Sequence, residues 1–273
     1  MAVVVAVVVV AEMSPSHWAL AAEVVAALGS PTLPETMAEL LLQVAPFTYT
    51  VMFGYRGADR PIDLYDDFPP GKRKTFVTDY QAGPYMLDPF FLAASRSVAS
   101  GLYRLRDLAP DRFYQGEYFR SYYVQTGLAE EIAYFVTLPD HSTLTLSLMR
   151  AEKPFSQKEF AALAAVFPFV AATARRHWPG LHQNLDKRGG SLRRQQRQMT
   201  HDLGSFGAGV LTPREREVAE FTLKGHSAES AGQILGIAAG TVRIHRRNIY
   251  SKLNINSQGE LFSRFLSTLV DPA

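Results

Sequence analysis

Two arginines one helical turn apart, Arg243 and Arg247, flank the apolar Ile244 in the segment Ala239 to Leu253, which reads as a helix. On a wheel at about 100° per residue, Gly240, Arg243, Ile244, Arg247 and Ser251 share one face, while Val242, His245, Ile249 and Leu253 share the other. The second set is a core stripe. The first is an unusual solvated face, because it exposes an isoleucine between two cations. A guanidinium forks onto guanine O6 and N7, and an aliphatic side chain meets a thymine methyl, so this face has the chemistry of major-groove readout. The charge distribution agrees. Residues 1–174 carry a net −5 and residues 175–273 a net +7, so the chain's overall +2 hides a basic C-terminal end suited to a polyanion.

Other chemistries find no constellation. With no cysteine, disulfides, thiolate metal sites and cysteine nucleophiles are excluded, and a reducing compartment, by default the cytoplasm, is expected. The seven histidines, His17, His141, His177, His182, His201, His226 and His245, show no metal-ligand spacing, and neither a phosphate-binding glycine loop nor a serine nucleophile elbow is present. Glu130 and Glu131 are adjacent in a strand, so their carboxylates point to opposite faces and cannot form an acid–base pair. The Asp66-Asp67 pair is not followed by the regular parallel βα units that a phosphoacceptor domain needs. No catalysis, metal or cofactor is expected.

The elements that position the arginine face are punctuated residue by residue. Thr212-Pro213-Arg214-Glu215 is a capping box with proline at the first helical position, and Gly225 stops the helix it starts. Ser227 caps a second short helix that ends at Gly236; the arginine helix follows, and Ser257-Gln258-Gly259-Glu260 caps a fourth. Short helices joined by tight glycine turns are the signature of a helix-turn-helix.

The segment LTPREREVAEFTLKGHS through GTVRIHRRNIYSKLNINSQGEL resembles the LuxR-type DNA-binding domain over some 55 positions. The resemblance implies that Arg243, Ile244 and Arg247 contact bases, that Thr241, His245 and Lys252 support or touch the phosphate backbone, and that Leu261, Phe262, Phe265 and Leu269 of the last helix contribute to dimerisation. Covering the domain's own core is the other role open to those four. Two departures stand out: Ser230-Ala231-Gly232 replaces the usual Glu-Ile-Ala, and Ala238 stands where a serine caps the recognition helix. A helix-interior glycine costs about 1 kcal/mol against alanine, and a missing cap roughly 0.5–2 kcal/mol, so both are expected to weaken the local structure.

Upstream, the alternation of Tyr49, Val51 and Phe53 with Thr48, Thr50 and Met52, and of Leu144, Leu146 and Leu148 with Thr143, Thr145 and Ser147, predicts two half-buried strands. Glu131–Leu138 reads as a more buried strand, joined to the last by a hairpin turn at Pro139-Asp140-His141-Ser142. Helices are expected at His17–Leu28, Pro34–Val44 and Ser156–His177, the last opened by a Ser156…Glu159 capping box with Phe155 and Phe160 as a hydrophobic staple. The fold class is therefore α+β, an antiparallel sheet flanked by helices, followed by a small all-α four-helix domain.

This first domain is similar to the GAF-like sensor of LuxR-type quorum regulators through Asp88-Pro89, the run Gly127 to Ile132, and the helix from Ser156. That resemblance implies a small organic effector bound near Asp88; the domain's many aromatic residues with polar tips, among them Tyr55, Tyr80, Tyr85 and Tyr103, suit a pocket for such a ligand and equally suit an ordinary core. The residues themselves leave a second role open, since Asp88-Pro89 before PFFLAASRSV is also a good helix cap. The expected organisation is a tail or mis-assigned start at 1–13, a sensor at 14–178, a basic linker at 179–209 and the DNA-binding domain at 210–273. The eleven-residue apolar opening is too short to span a membrane, which takes about 20 residues. The expected partners are double-stranded DNA at an inverted repeat, a second copy of the chain, a small effector and RNA polymerase. A regulator whose first domain only dimerises or binds a protein is the alternative.

Overall fold

The computed structural model describes residues 14–124, 127–181, 203 and 206–270; the N-terminal tail and most of the expected linker lie outside the described residues. Strands β1 (Tyr49–Tyr55), β2 (Ile62–Asp66), β3 (Gly101–Arg104), β4 (Glu130–Thr137) and β5 (Thr143–Arg150) form one antiparallel sheet in the order β2-β1-β5-β4-β3. The expected β4–β5 hairpin forms, with Ile132 opposite Leu148 and Thr137 opposite Thr143. His141 takes a positive φ in the turn, and Asp140 accepts from the Ser142 backbone N–H at 3.1 Å.

Leu144, Leu146 and Leu148, with Met52, Ile132, Tyr134 and Val136, turn to one side of the sheet. They are buried beneath α1 (Pro15–Ala26), α2 (Leu33–Val44), α4 (Gln157–Ala165) and α5 (Phe167–His177). The expected single helix Ser156–His177 is two helices broken at Val166. Pro168 has no N–H to continue the ladder, and its ring would clash with the carbonyl four residues back, so it sits in the first turn of a new helix. At the start of α4 the Ser156–Glu159 capping box is formed, and Phe155 and Phe160 pack into the same cluster.

The expectation of half-buried strands fails on the other side. Thr145, Ser147 and Glu131 alternate with the leucine face yet are buried, because α3 (Pro89–Ser95), the turn before it and two π-helical segments, Lys74–Asp79 and Phe119–Tyr123, cover that side too. The polar half of the alternation faces an interior space rather than solvent. Glu130, on the helix-covered face, is consumed structurally: it pairs with buried Arg104 at 2.6 Å and accepts from the Phe155 N–H at 2.6 Å.

The C-terminal unit comprises α6 (Pro213–Leu223), α7 (Ala228–Leu235), α8 (Ala239–Leu253) and α9 (Gln258–Val270). Its core is built from Val218, Ala219, Leu223, Val242, Ile249, Leu253, Leu261 and Phe265. The first domain touches it directly. The Arg112 N–H donates to the Gly225 carbonyl at 3.1 Å, and the Asp111 carboxylate accepts from the Ser227 N–H at 3.0 Å. Burial alone would raise the Asp111 pKa, but hydrogen bonds from Ser227 hold it below the usual carboxylate range.

Candidate nucleic-acid interface and interior cavity

Every helix start expected in the C-terminal unit forms. Glu215 accepts from the Thr212 N–H at 2.8 Å, closing its capping box; the Ser230 N–H donates to Ser227 Oγ at 2.9 Å, and the Glu260 N–H donates to Ser257 Oγ at 3.1 Å. Gly236 ends α7 in the left-handed region with φ +67°, as a glycine C-cap should. Ala238 precedes α8 with no side-chain cap, so that expected deficit is present.

The glycine departure in α7 reads differently in three dimensions. A Cβ on Gly232 would lie 2.7 Å from the Ile237 carbonyl oxygen and 3.4 Å from the Ala239 nitrogen. The α7–α8 turn folds back so tightly, through the Ile237 N–H to Gly232 carbonyl bond at 2.9 Å, that no side chain fits there. Gly232 thus shapes the turn that aims the next helix, where the sequence suggested a weakness.

Helix α8 splits as its wheel requires. Val242, Ile249 and Leu253 are buried, while Gly240, Arg243, Ile244, Arg247 and Ser251 are exposed. Ile244 is 55% exposed, and among the described residues Arg243 is held by a surface ion pair to Glu229. Such exposed pairs contribute about 0–1 kcal/mol, so Arg243 is free to exchange Glu229 for a base edge. Thr241 and His245 are half-buried, and among the described residues His245 Nδ1 has no hydrogen-bond partner. Lys252 donates to the buried Glu215 carboxylate at 2.7 Å, so its ammonium braces the α6 cap.

Arg246 went unread in the sequence. Its guanidinium donates to Thr222 Oγ1 at 3.0 Å and to the His226 carbonyl at 2.7 Å, tying α8 to α6. Its place on the wheel, at the border of the core stripe, was the available signal.

Of the two roles open to the apolar residues of α9, the core role is the one seen for Leu261, Phe262 and Phe265, which are buried in their own domain with Phe265 edge-on to Phe206 at 5.7 Å. A helix this amphipathic satisfies its own core first. The Leu269 side chain lies outside the described residues.

In the first domain a cavity of about 40 Å³ lies between the polar face of β4–β5 and the π-helical segments, walled by Phe53, Tyr55, Tyr80, Asp88, Tyr118 and Glu131. Both roles read for Asp88 are geometrically available. One carboxylate oxygen accepts from the Phe90 N–H at 2.9 Å, capping α3, while the other accepts from Tyr80 Oη at 2.6 Å. Tyr55 Oη lies 3.4 Å from Tyr80 Oη, extending the chain of hydroxyls. Burial raises the Asp88 pKa to about 6 against the opposing Tyr80 and Phe90 hydrogen bonds. Burial, reinforced by the Asp88 charge, raises Glu131 to about 8 although Ser147 hydrogen-bonds to it.

Two expected contacts stand outside this wall. Tyr85 is fully buried against Phe91 at 4.8 Å, and Tyr103, on the edge strand β3, packs on Phe135 and donates to the Ala99 carbonyl at 2.9 Å. Nearness in sequence placed Tyr85 beside Asp88, but the intervening turn directs its ring into the core. Ser147 was missed as a wall residue because its strand read as open to solvent on that side, and Glu131 because a buried strand does not by itself say what faces it.

A capped helix-turn-helix with an exposed arginine face, behind an α+β domain enclosing a largely apolar cavity with two carboxylates in its wall, defines a two-domain DNA-binding regulator. Comparison with known proteins makes this specific. Residues 209–265 match the family of bacterial regulatory proteins of the luxR type. An HTH-type transcriptional regulator from the exeN 3′ region of Aeromonas salmonicida is 34% identical over 189 residues, covering 67% of this chain and 95% of that protein. The monoamine regulon transcriptional regulator of Klebsiella aerogenes is 23% identical over 227 residues, covering 83% of this chain and 87% of its own. The fold of the first domain is similar to the crystal structure of the VqsR LBD domain from Pseudomonas aeruginosa. That match has a TM-score of 0.54 and 23% identity, and covers 61% of this chain and 99% of the other. The chain belongs to the LuxR family and is a transcriptional regulator with a LuxR-type DNA-binding domain. No helix among the described residues is long and apolar enough to cross a membrane.

Proposed function

We propose that Arg243, Ile244 and Arg247 read base edges in the major groove, with Thr241 and His245 against the sugar-phosphate backbone. Two copies of the chain occupy the half-sites of an inverted repeat, about one helical turn apart. The observation that carries this reading is the exposed α8 face, where an exposed isoleucine sits between two exposed arginines that have no buried partner among the described residues. The second copy makes its contacts elsewhere than on the apolar face of α9, through the first domain or the exposed Ser263, Arg264 and Ser267.

The first domain takes a small organic effector in the cavity beside Asp88. Support comes from the inward-turned polar strand face and from the direct contact of Asp111 and Arg112 with the turn between α6 and α7, a path by which a change in the sensor reaches the DNA-reading helices. The test of base readout is selection of bound sequences from a random pool, followed by titration with Arg243→Ala and Arg247→Ala. Each substitution is expected to cost about 1–3 kcal/mol on the selected site and relax the preference at one position. Unchanged preference in both variants refutes the docking.

A further inference from the structure

Among the described residues, the wall of the cavity in the first domain carries two carboxylates and no basic side chain. Asp88 is 8% exposed and Glu131 is 7% exposed, both form part of the wall, and neither belongs to an ion pair among the described residues. Their partners are neutral: the Tyr80 hydroxyl and the Phe90 N–H for Asp88, and the Ser147 hydroxyl for Glu131. Burying one charge without a counterion is costly, and facing it with a second of the same sign compounds the cost. The raised pKa values of both groups register that strain. A neutral core residue at position 131 would remove it. Most of the remaining wall is aromatic, with Phe53 stacked on Tyr80 at 5.3 Å beside Val51, Ser147 and Met149, and aromatic faces attract cations.

We propose that this cavity is built for an organic cation, a ligand whose ammonium head sits between Asp88 and Glu131 with its apolar body against Phe53, Tyr80 and Tyr118. The proposal rests on the reading of this cavity as the effector site and narrows the effector to a chemical class. A metal ion fits poorly, since hard cations require six or more oxygen ligands and most of this wall is carbon. At about 40 Å³ the cavity has room for a small head group but not for an extended apolar body, one water needing about 10–15 Å³ on the same measure. The body enters by displacing Phe76 and Tyr123, wall residues carried on the two π-helical segments. Such segments interrupt regular helical hydrogen bonding and recur at functional sites.

The test uses the full chain at neutral pH and a graded series of alkyl- and arylalkyl-ammonium ions, each paired with its isosteric alcohol, for example 2-phenylethylammonium and 2-phenylethanol. Calorimetry in buffers of different ionisation enthalpy reports affinity and proton exchange together. At least one ammonium ion is expected to bind about tenfold more tightly than its alcohol and to release a proton from Glu131. In Glu131→Gln the preference is expected to fall below about threefold and the proton release to vanish. Alcohols binding as tightly as their ammonium partners, or a preference intact in Glu131→Gln, overturn the cation class and leave the effector reading standing. If no ammonium ion binds, the inference also falls. If a broad neutral metabolite library then produces no saturable melting shift either, the effector reading falls with it.

Discussion

Gly232→Ala separates local propensity from tertiary constraint. In an ordinary helix the substitution stabilises by about 1 kcal/mol, because glycine gives up more backbone freedom on folding. Here the added Cβ would meet the Ile237 carbonyl oxygen at 2.7 Å. An unstrained carbon–oxygen contact is about 3.3 Å or longer, so the backbone must retreat by roughly half an ångström. The obstacle is main chain at the start of the α7–α8 turn, which cannot rotate away as a side chain could. Overpacking of this kind costs about 1–3 kcal/mol, and after subtracting the propensity gain a net loss of about 0–2 kcal/mol remains. Gly240→Ala is the control, since that glycine lies in α8 with nothing within 4 Å of its Cβ position, and the change is expected to stabilise by up to about 1 kcal/mol. Urea denaturation of both variants, read as midpoint shifts at constant slope, measures the difference. Because the turn aims the recognition helix, Gly232→Ala is also expected to weaken binding to the selected DNA site more than its stability loss alone predicts. Equal stabilisation by both substitutions would show that the turn relaxes freely and that the close approach has no energetic weight.

Three further outcomes follow from the described contacts. Glu131 titrates higher in the folded chain than in the unfolded one, so the native state binds the extra proton. Its contribution is present below the ordinary carboxylate range and lost as pH rises towards about 8, at up to about 1.4 kcal/mol per pH unit in between. The wild type is therefore expected to lose stability over that window relative to Glu131→Gln, and parallel melting profiles for the two would contradict the buried carboxylate. Lys252→Ala leaves Glu215 without its ammonium, and because Lys252 is 39% exposed the expected cost is only about 1 kcal/mol. Burial would raise the Glu215 pKa, but Lys252 and Thr212 hold it below the usual value, so that stability is present at neutral pH and fades as pH falls through the carboxylate range. A variant as stable as wild type at neutral pH would assign Lys252 to DNA alone. Gly225→Ala would place a Cβ 2.9 Å from Phe113 Cα at a φ of +91°, and is expected to loosen the contact between the domains, read as faster amide exchange at Ser227 and Arg112. Unchanged exchange would argue that the contact carries no energy.

The C-terminal half was legible because its information is local. A cap, its partner three residues on and a terminating glycine lie within one or two turns, so Thr212, Gly225, Ser227 and Gly236 mark helix ends whatever packs against them. Helical period alone assigned Arg243, Ile244 and Arg247 to the open face of α8. The β4–β5 hairpin was legible for the same reason, its turn and alternation being contained in one stretch. The edge strands β2 and β3 were not, since they are short and pair on one side only, which leaves little periodicity to read.

What only the tertiary structure decided is what lies opposite each face. Alternation in β4 and β5 determines that Glu131, Thr145 and Ser147 share a side, but not whether that side meets water or a covering layer. The helix and π-helical segments that enclose it come from residues 74–123, far along the chain. The apolar stripe of α9 likewise specifies burial without naming the partner, and Phe206 with the domain's own core took the place expected for a second subunit. Gly232 carries the same lesson in reverse, a residue unfavourable by local propensity and required by a carbonyl five residues away. The arginine face proposed to read DNA was set by local spacing, whereas the carboxylate pair that would select an effector exists only once the sheet is covered.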